Sequence, residues 1–273
     1  GIVGRITYDY KTRYLAEVNI GYNGTENFAP GKRFGLFPAY SLGWVASDEP
    51  FFPKNEYLTY LKIRGSYGIV GNDQIGGSRF LYRPASYSYL NNGYYFGTNG
   101  SNLQGYQISL EGALGNEDLT WERAKKLNIG TEMVFLKDKL KVTLDWFDEN
   151  RDDILANKGT IPGIVAATFP AYNMGKMSNS GHEIELFYNN SFRNFKYWLK
   201  GNYTYAHNVI EYMDEVTPKY DYQYRTGRRS GQYFGLLADG FYNKWEEVND
   251  PDRPVYEYQS NKIQPGDIKY VDY

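Results

Sequence analysis

Two histidines and no cysteine occur among the 273 residues, so little in this sequence could do covalent chemistry. His182-Glu183 begins like a zinc-binding HExxH helix, but the position for the second histidine holds Leu186. His182 is expected to head a strand, and His207 to lie near the base of a loop. Asp152 and Asp153 are adjacent; on a strand they would point to opposite sides and could not act as a carboxylate pair. Asn249-Asp-Pro-Asp252 lacks the glycine and distal glutamate of a calcium loop and reads as a solvated turn. The absence of cysteine excludes disulfides, thiol nucleophiles and thiolate zinc sites. No catalytic residue, metal site or cofactor is therefore expected. Basic and acidic residues nearly balance, 30 against 32, so no nucleic-acid footprint is expected either.

What the sequence does offer is non-covalent recognition. Tyrosine alone accounts for 29 residues. Within 72–119, Tyr87, Tyr89, Tyr94, Tyr95, Phe96 and Tyr106 are interspersed with Ser, Asn and Gly. Planar rings stack on sugar or peptide faces at low entropic cost, and Asn and Ser add adaptable hydrogen bonds. Tyr172 and Asn173, in the next long connection, are candidates of the same kind. The competing reading is that these rings pack the loops onto the structure beneath them.

The elements that position these loops are strands. Leu140, Val142, Leu144 and Trp146 alternate with Lys141, Thr143, Asp145 and Phe147. A strand sorts these residues onto two faces, whereas a helix would scatter them. The same period recurs in eight segments, roughly 2–10, 13–23, 34–44, 60–71, 120–135, 140–150, 181–188 and 195–206. Short connections (11–12, 137–139, 189–194, with 46–59 the long member) alternate strictly with long ones (24–33, 72–119, 151–180 and everything after 207). No run of about 18 apolar residues could form a transmembrane helix, but a mean hydropathy of −0.63 is compatible with a barrel that hides apolar residues among polar ones. Strand length, loop asymmetry and aromatics near strand ends (Tyr8, Tyr10, Tyr14, Tyr22, Trp44, Tyr67, Trp121, Trp146, Tyr188, Tyr197, Tyr205) favour a transmembrane antiparallel β-barrel over a soluble sandwich. Glu17, Lys62, Arg64, Lys141, Asp145, Glu183, Glu185 and Lys200 would then line a polar lumen.

Several strings resemble the SusC/RagA-like TonB-dependent outer-membrane transporters of Bacteroidetes. They include Gly4-Arg-Ile-Thr-Tyr-Asp-Tyr10, Leu61-Lys-Ile-Arg-Gly-Ser-Tyr-Gly-Ile-Val-Gly-Asn-Asp73, Leu119-Thr-Trp-Glu122, Asn179-Ser-Gly-His-Glu-Ile-Glu-Leu186 and Pro265-Gly-Asp-Ile-Lys-Tyr270. The resemblance runs from the first residues to the last. It implies an all-β wall of about eight strands from a 22-stranded barrel in the bacterial outer membrane. It also implies an N-terminal plug, drive from TonB, a SusD-like lipoprotein lid, and oligosaccharide or peptide cargo. Residues 1–273 match a middle-to-late part of that barrel domain, with plug and C-terminal strands expected outside this chain and any calcium loop completed beyond residue 273. A passive porin and a soluble carbohydrate-binding β-domain are the rival readings.

Overall fold

The structure is a computed structural model that describes residues 1–273 except 75, 77, 78, 98–102, 166, 254–262, 272 and 273. It divides into two units, residues 1–230 and 231–273. The first is built on one antiparallel sheet. Its strands are β1 (Ile2–Tyr10), β2 (Tyr14–Gly24), β3 (Phe34–Val45), β4 (Leu58–Asn72), β7 (Glu122–Phe135), β8 (Leu140–Ala156), β9 (Tyr172–Phe192) and β10 (Phe195–Tyr212). They neighbour one another in chain order, so the wall is a simple up-and-down meander. Two further strands, β5 (Ser88–Phe96) and β6 (Gln104–Leu110), form a separate hairpin between β4 and β7. All eight expected strands are present. The expected loop 72–119 instead carries this hairpin, and β8, β9 and β10 run well past their predicted ends.

The register shows why the wall forms. Tyr14 faces Trp44, which faces Ile63; the row continues through Thr131, Leu144 and Ile184 to Tyr203. The next row down includes Met133, Val142, Leu186 and Gly201. Side-chain direction alternates, so a matched register stacks every apolar set onto one face. On β2 the apolar band starts at Tyr14. On β10 it starts six to eight residues before Tyr203, at Tyr197 and Phe195. Over six strand-to-strand steps this is about one residue of stagger per strand, as a tilted barrel wall requires.

The two rims differ. At one, β1–β2, β7–β8 and β9–β10 are joined by tight turns at 11–13, 136–139 and 193–194. The fourth connection at this rim, 46–57, is closed by a short 3-10 helix, Ala46–Asp48, with Ala46 and Ser47 buried. The other rim carries the long connections.

The second unit pairs β11 (Ala238–Phe241) with β12 (Ile268–Tyr270) around a one-turn helix, α1 (Trp245–Val248). Tyr242 and Val248 are its buried residues. Here 250–253 forms the expected solvated turn, closed by Arg253 N–H donating to the Asp250 carbonyl (3.2 Å).

Candidate functional site

The outward face of the wall presents Ile63, Ile129, Leu144, Trp146, Leu186, Leu199 and Tyr203, all exposed. Soluble monomers rarely expose so continuous an apolar field, which marks a surface that meets a partner or a membrane. At the long-loop side this field ends in a ring-bearing row. His182 lies in the middle of β9 rather than at its head, opposite Trp146 and 5.5 Å from the ring of Tyr205. The strands extend beyond the apolar field. One row further out, β8, β9 and β10 carry Asp148, Ser180 and His207 on this face, and the next row carries Asn150 and Ser178 on β8 and β9, while the staggered β3, β4 and β7 still present Tyr40, Tyr67 and Leu127. A row of rings followed by polar residues is the profile of a membrane boundary. His207 lies within β10, with Arg229 Nε donating to its Nδ1 at 2.9 Å.

The inward face carries the eight charged residues expected to line a lumen, and the register places them all together. Arg64 is their hub. Its Nη2 lies 2.8 Å from Asp145 Oδ2, its Nε 3.2 Å from Glu132, and its Nη1 donates to Asn128 at 3.1 Å. Lys200 pairs with Glu185 at 2.8 Å and Arg5 with Glu17 at 2.5 Å. Gly130 makes the hub possible: a Cβ there would sit 2.4 Å from Asp145 Oδ1 and 2.9 Å from Arg64 Cζ. Half-exposed pairs of this kind contribute little stability, roughly 0–1 kcal/mol each. Their consequence is a hydrated wall that remains polar without a large net charge.

The long loops are anchored by one aromatic cluster. Phe28, Phe37, Leu119 and Trp121 are buried together, with Trp121 edge-on to Phe28 (5.7 Å) and to Phe37 (5.1 Å). Trp121 Nε1 donates to the Arg33 carbonyl at 3.2 Å. Trp121 therefore leaves the expected lipid girdle: it sits just before β7, where burying its ring ties three loop bases together. Lys32 reaches Asp118 at 2.6 Å, and this hydrogen bond holds the Asp118 carboxyl below its usual range.

Asn173 belongs to the same anchorage. It sits in β9, as does Tyr172, rather than in the preceding loop. Its Oδ1 accepts from Thr120 N–H (2.9 Å), and its Nδ2 donates to the carbonyls of Thr120 (2.8 Å) and Asp153 (2.7 Å). Tyr172 lies under Lys158, whose Nζ is 4.2 Å from the ring centre. Sequence reasoning missed Phe28 and Asn116. Asn116 is buried, and its Nδ2 donates to the Ala171 carbonyl at 3.0 Å. Both act across large sequence separations that no local pattern reveals.

The hairpin brings the remaining candidates together on two faces. Tyr94 faces Tyr106, and Phe96 lies on their side: its ring is 4.7 Å from Tyr94 and 5.4 Å from Tyr106. Leu90 and Leu110 extend this face. Tyr89 and Tyr95 project to the other face, and Tyr87 precedes the strand. All six aromatic candidates are exposed. The hairpin is therefore a two-sided aromatic blade, able to stack on a flat or extended apolar surface.

Among the described residues no cluster of three or more histidine, aspartate or glutamate side chains could hold a metal ion.

Comparison with known proteins agrees with this geometry. Residues 4–266 match the family model described as TonB dependent receptor-like, beta-barrel. A TonB-dependent receptor of Formosa agariphila is 33% identical over 98% of this chain and 24% of its own length. The TonB-dependent receptor SusC of Bacteroides thetaiotaomicron is 32% identical over 92% of this chain and 25% of its own. Structures of the RagAB peptide importer share the fold. The closed-closed state has a TM-score of 0.68 at 18% identity, covering 88% of this chain and 25% of that one. The chain thus spans about a quarter of the length of these relatives. TonB-dependent receptors are transporters rather than enzymes, in keeping with a sequence so poor in catalytic groups. By its strands, their register and these matches, the chain belongs to the TonB-dependent receptor β-barrel family of the bacterial outer membrane.

Proposed function

We propose that the chain forms barrel wall and extracellular loops of an importer that takes up oligosaccharides or peptides across the outer membrane. The observation that carries this reading is the two-faced sheet: a continuous apolar face on one side and an ion-paired polar face on the other. Such a sheet satisfies its backbone within hydrocarbon only when closed by further strands. Those strands, a plug, and a connection to TonB would come from parts of the protein outside this chain. A SusD-like lipoprotein would cover the extracellular mouth.

In this reading the aromatic blade of Tyr94, Phe96 and Tyr106 meets cargo at the long-loop rim, with Tyr87, Tyr89 and Tyr95 on its other side. Sugars and peptides share the chemistry it fits: flat apolar patches edged by hydrogen-bonding groups. Tyr172 and Asn173 hold the base of the neighbouring loop. The test is uptake of labelled oligosaccharide and of labelled peptide by cells carrying the full-length receptor with Tyr94, Phe96 and Tyr106 changed to alanine. Cargo affinity should fall about ten-fold or more, as loss of a central aromatic anchor implies, while the level in the membrane stays the same. Unchanged uptake of both cargo classes would remove the blade from the binding site.

A further inference from the structure

The tight-turn rim places a cation in each of its three turns. Lys11 at φ 53°, Lys137 at φ 56° and Arg193 at φ 55° all adopt the left-handed conformation that glycine and asparagine occupy most readily. Short hairpin turns demand such positions of any residue, and Thr12, Leu136 and Asp138 adopt them too; at each of the three turns one of these positions holds a cation. Lys137 has an evident protein partner, Glu56 at 2.7 Å. Lys11 and Arg193 have no acidic partner among the described residues. Instead, Lys11 Nζ lies 5.3 Å from the ring centre of Tyr10, and Arg193 Cζ lies 5.4 Å from that of Phe192.

Both rings point outward. Tyr10 pairs with Tyr14 at the start of the apolar band, and Phe192 pairs with Phe195 at its β10 end. All four rings are exposed. A cation lying over an outward ring at the last row of the band sits where lipid headgroups begin. Its stem and the ring lie against apolar chains, while its charge faces the phosphate layer.

We propose that this rim binds the phosphate of anionic phospholipids in the periplasmic leaflet through Lys11 and Arg193, at two separate points along the wall. Lys137, already neutralised by Glu56, takes no part.

The experiment uses the purified full-length receptor, with native mass spectrometry to count retained phosphatidylglycerol and phosphatidylethanolamine. Lys11→Asn with Arg193→Asn should lower phosphatidylglycerol retention about five-fold for each cation removed. Phosphatidylethanolamine, which carries no net charge, should change much less. Lys137→Asn should leave both lipids unchanged. Asparagine accepts the left-handed turn readily, so the unfolding temperature should not fall. A charge-keeping control, Lys11→Arg with Arg193→Lys, should retain phosphatidylglycerol. Three results would each overturn the proposal: undiminished phosphatidylglycerol in the double asparagine variant, equal loss of both lipids, or equal loss in the charge-keeping control.

Discussion

The two rims of the sheet are made by the same strands and held in different ways. At the periplasmic rim the three short turns are local hairpins, bonded to their neighbours chiefly through main chain, as where Lys137 N–H donates to the Glu56 carbonyl (3.1 Å). These turns are fixed by their own backbone conformations, and the longer 46–57 connection by one buried carboxylate. Glu49 accepts the Tyr14 hydroxyl at 2.5 Å and the Trp44 indole N–H at 3.2 Å, with Arg13 at 3.5 Å. The extracellular rim is held by distant parts of the chain meeting. Phe28, Phe37, Leu119 and Trp121 come from three segments, and Asn173 clasps main chain 53 and 20 residues away in sequence. Hairpin turns bonded through main chain tolerate side-chain substitution. A rim held by non-local packing should fail at single residues, and this is the rim that carries the long loops.

The largest effect should come from Trp121→Ala. Removing a buried tryptophan costs about 3–5 kcal/mol where the site cannot collapse. The cost should fall on the loops, because the cluster lies at their bases. Limited proteolysis of the full-length receptor should cut within 73–121 well before wild type, while the barrel keeps its heat-dependent gel mobility. Loss of the barrel itself would mean that the cluster supports the wall and not only the loops.

A smaller effect is expected in the wall between the rims. Gly130→Ala pushes a Cβ into the flexible ends of the Arg64–Asp145 pair, which must shift, at a cost of about 1 kcal/mol. Gly201→Ala, which meets nothing within 4 Å, is the matched control and should be nearly silent in thermal unfolding. Equal effects at the two glycines would show that the inner ion pairs yield freely.

The smallest effect belongs to the periplasmic rim. The hydrogen bonds from Tyr14 and Trp44 hold the Glu49 carboxyl below its usual range, against the opposing effect of its burial. A depressed carboxylate contributes stability that is present above the ordinary carboxyl range and lost as pH falls through the folded value. Trp44 fluorescence should therefore change on acidification below about pH 4, near the unperturbed carboxyl value, and Glu49→Gln should abolish that change. A response that persists in the glutamine variant would assign the clasp to another group.

How much of this was legible in the sequence follows the solvent around each segment. Inside the apolar band, lipid on one side and water on the other force alternation, so 140–147 and 184–188 were plain. Beyond the band both faces meet water. Asp148 to Asp153 and Ser178 to Ser180 are polar on every side, and alternation gives no sign that β8 and β9 continue. The β5–β6 hairpin was missed for the same reason: its Tyr, Asn and Ser residues read as an adaptable loop. The inner charges were legible because each interrupts an apolar series. The roles of Trp121, Asn173 and Glu49 were not, because each depends on which distant segments the register brings together.

The central claim is that alternate residues of each strand face lipid and a hydrated lumen. These 273 residues contain no cysteine, so single cysteines can be placed in turn from Leu140 to Phe147 of a full-length receptor in membranes, with any cysteines elsewhere replaced by serine. Labelling with a water-soluble maleimide should be strong at 141, 143 and 145 and weak at 140, 142, 144 and 146, with a lipid-soluble quencher giving the reverse pattern. Uniform labelling along the strand, or quenching without the two-residue period, would contradict the account.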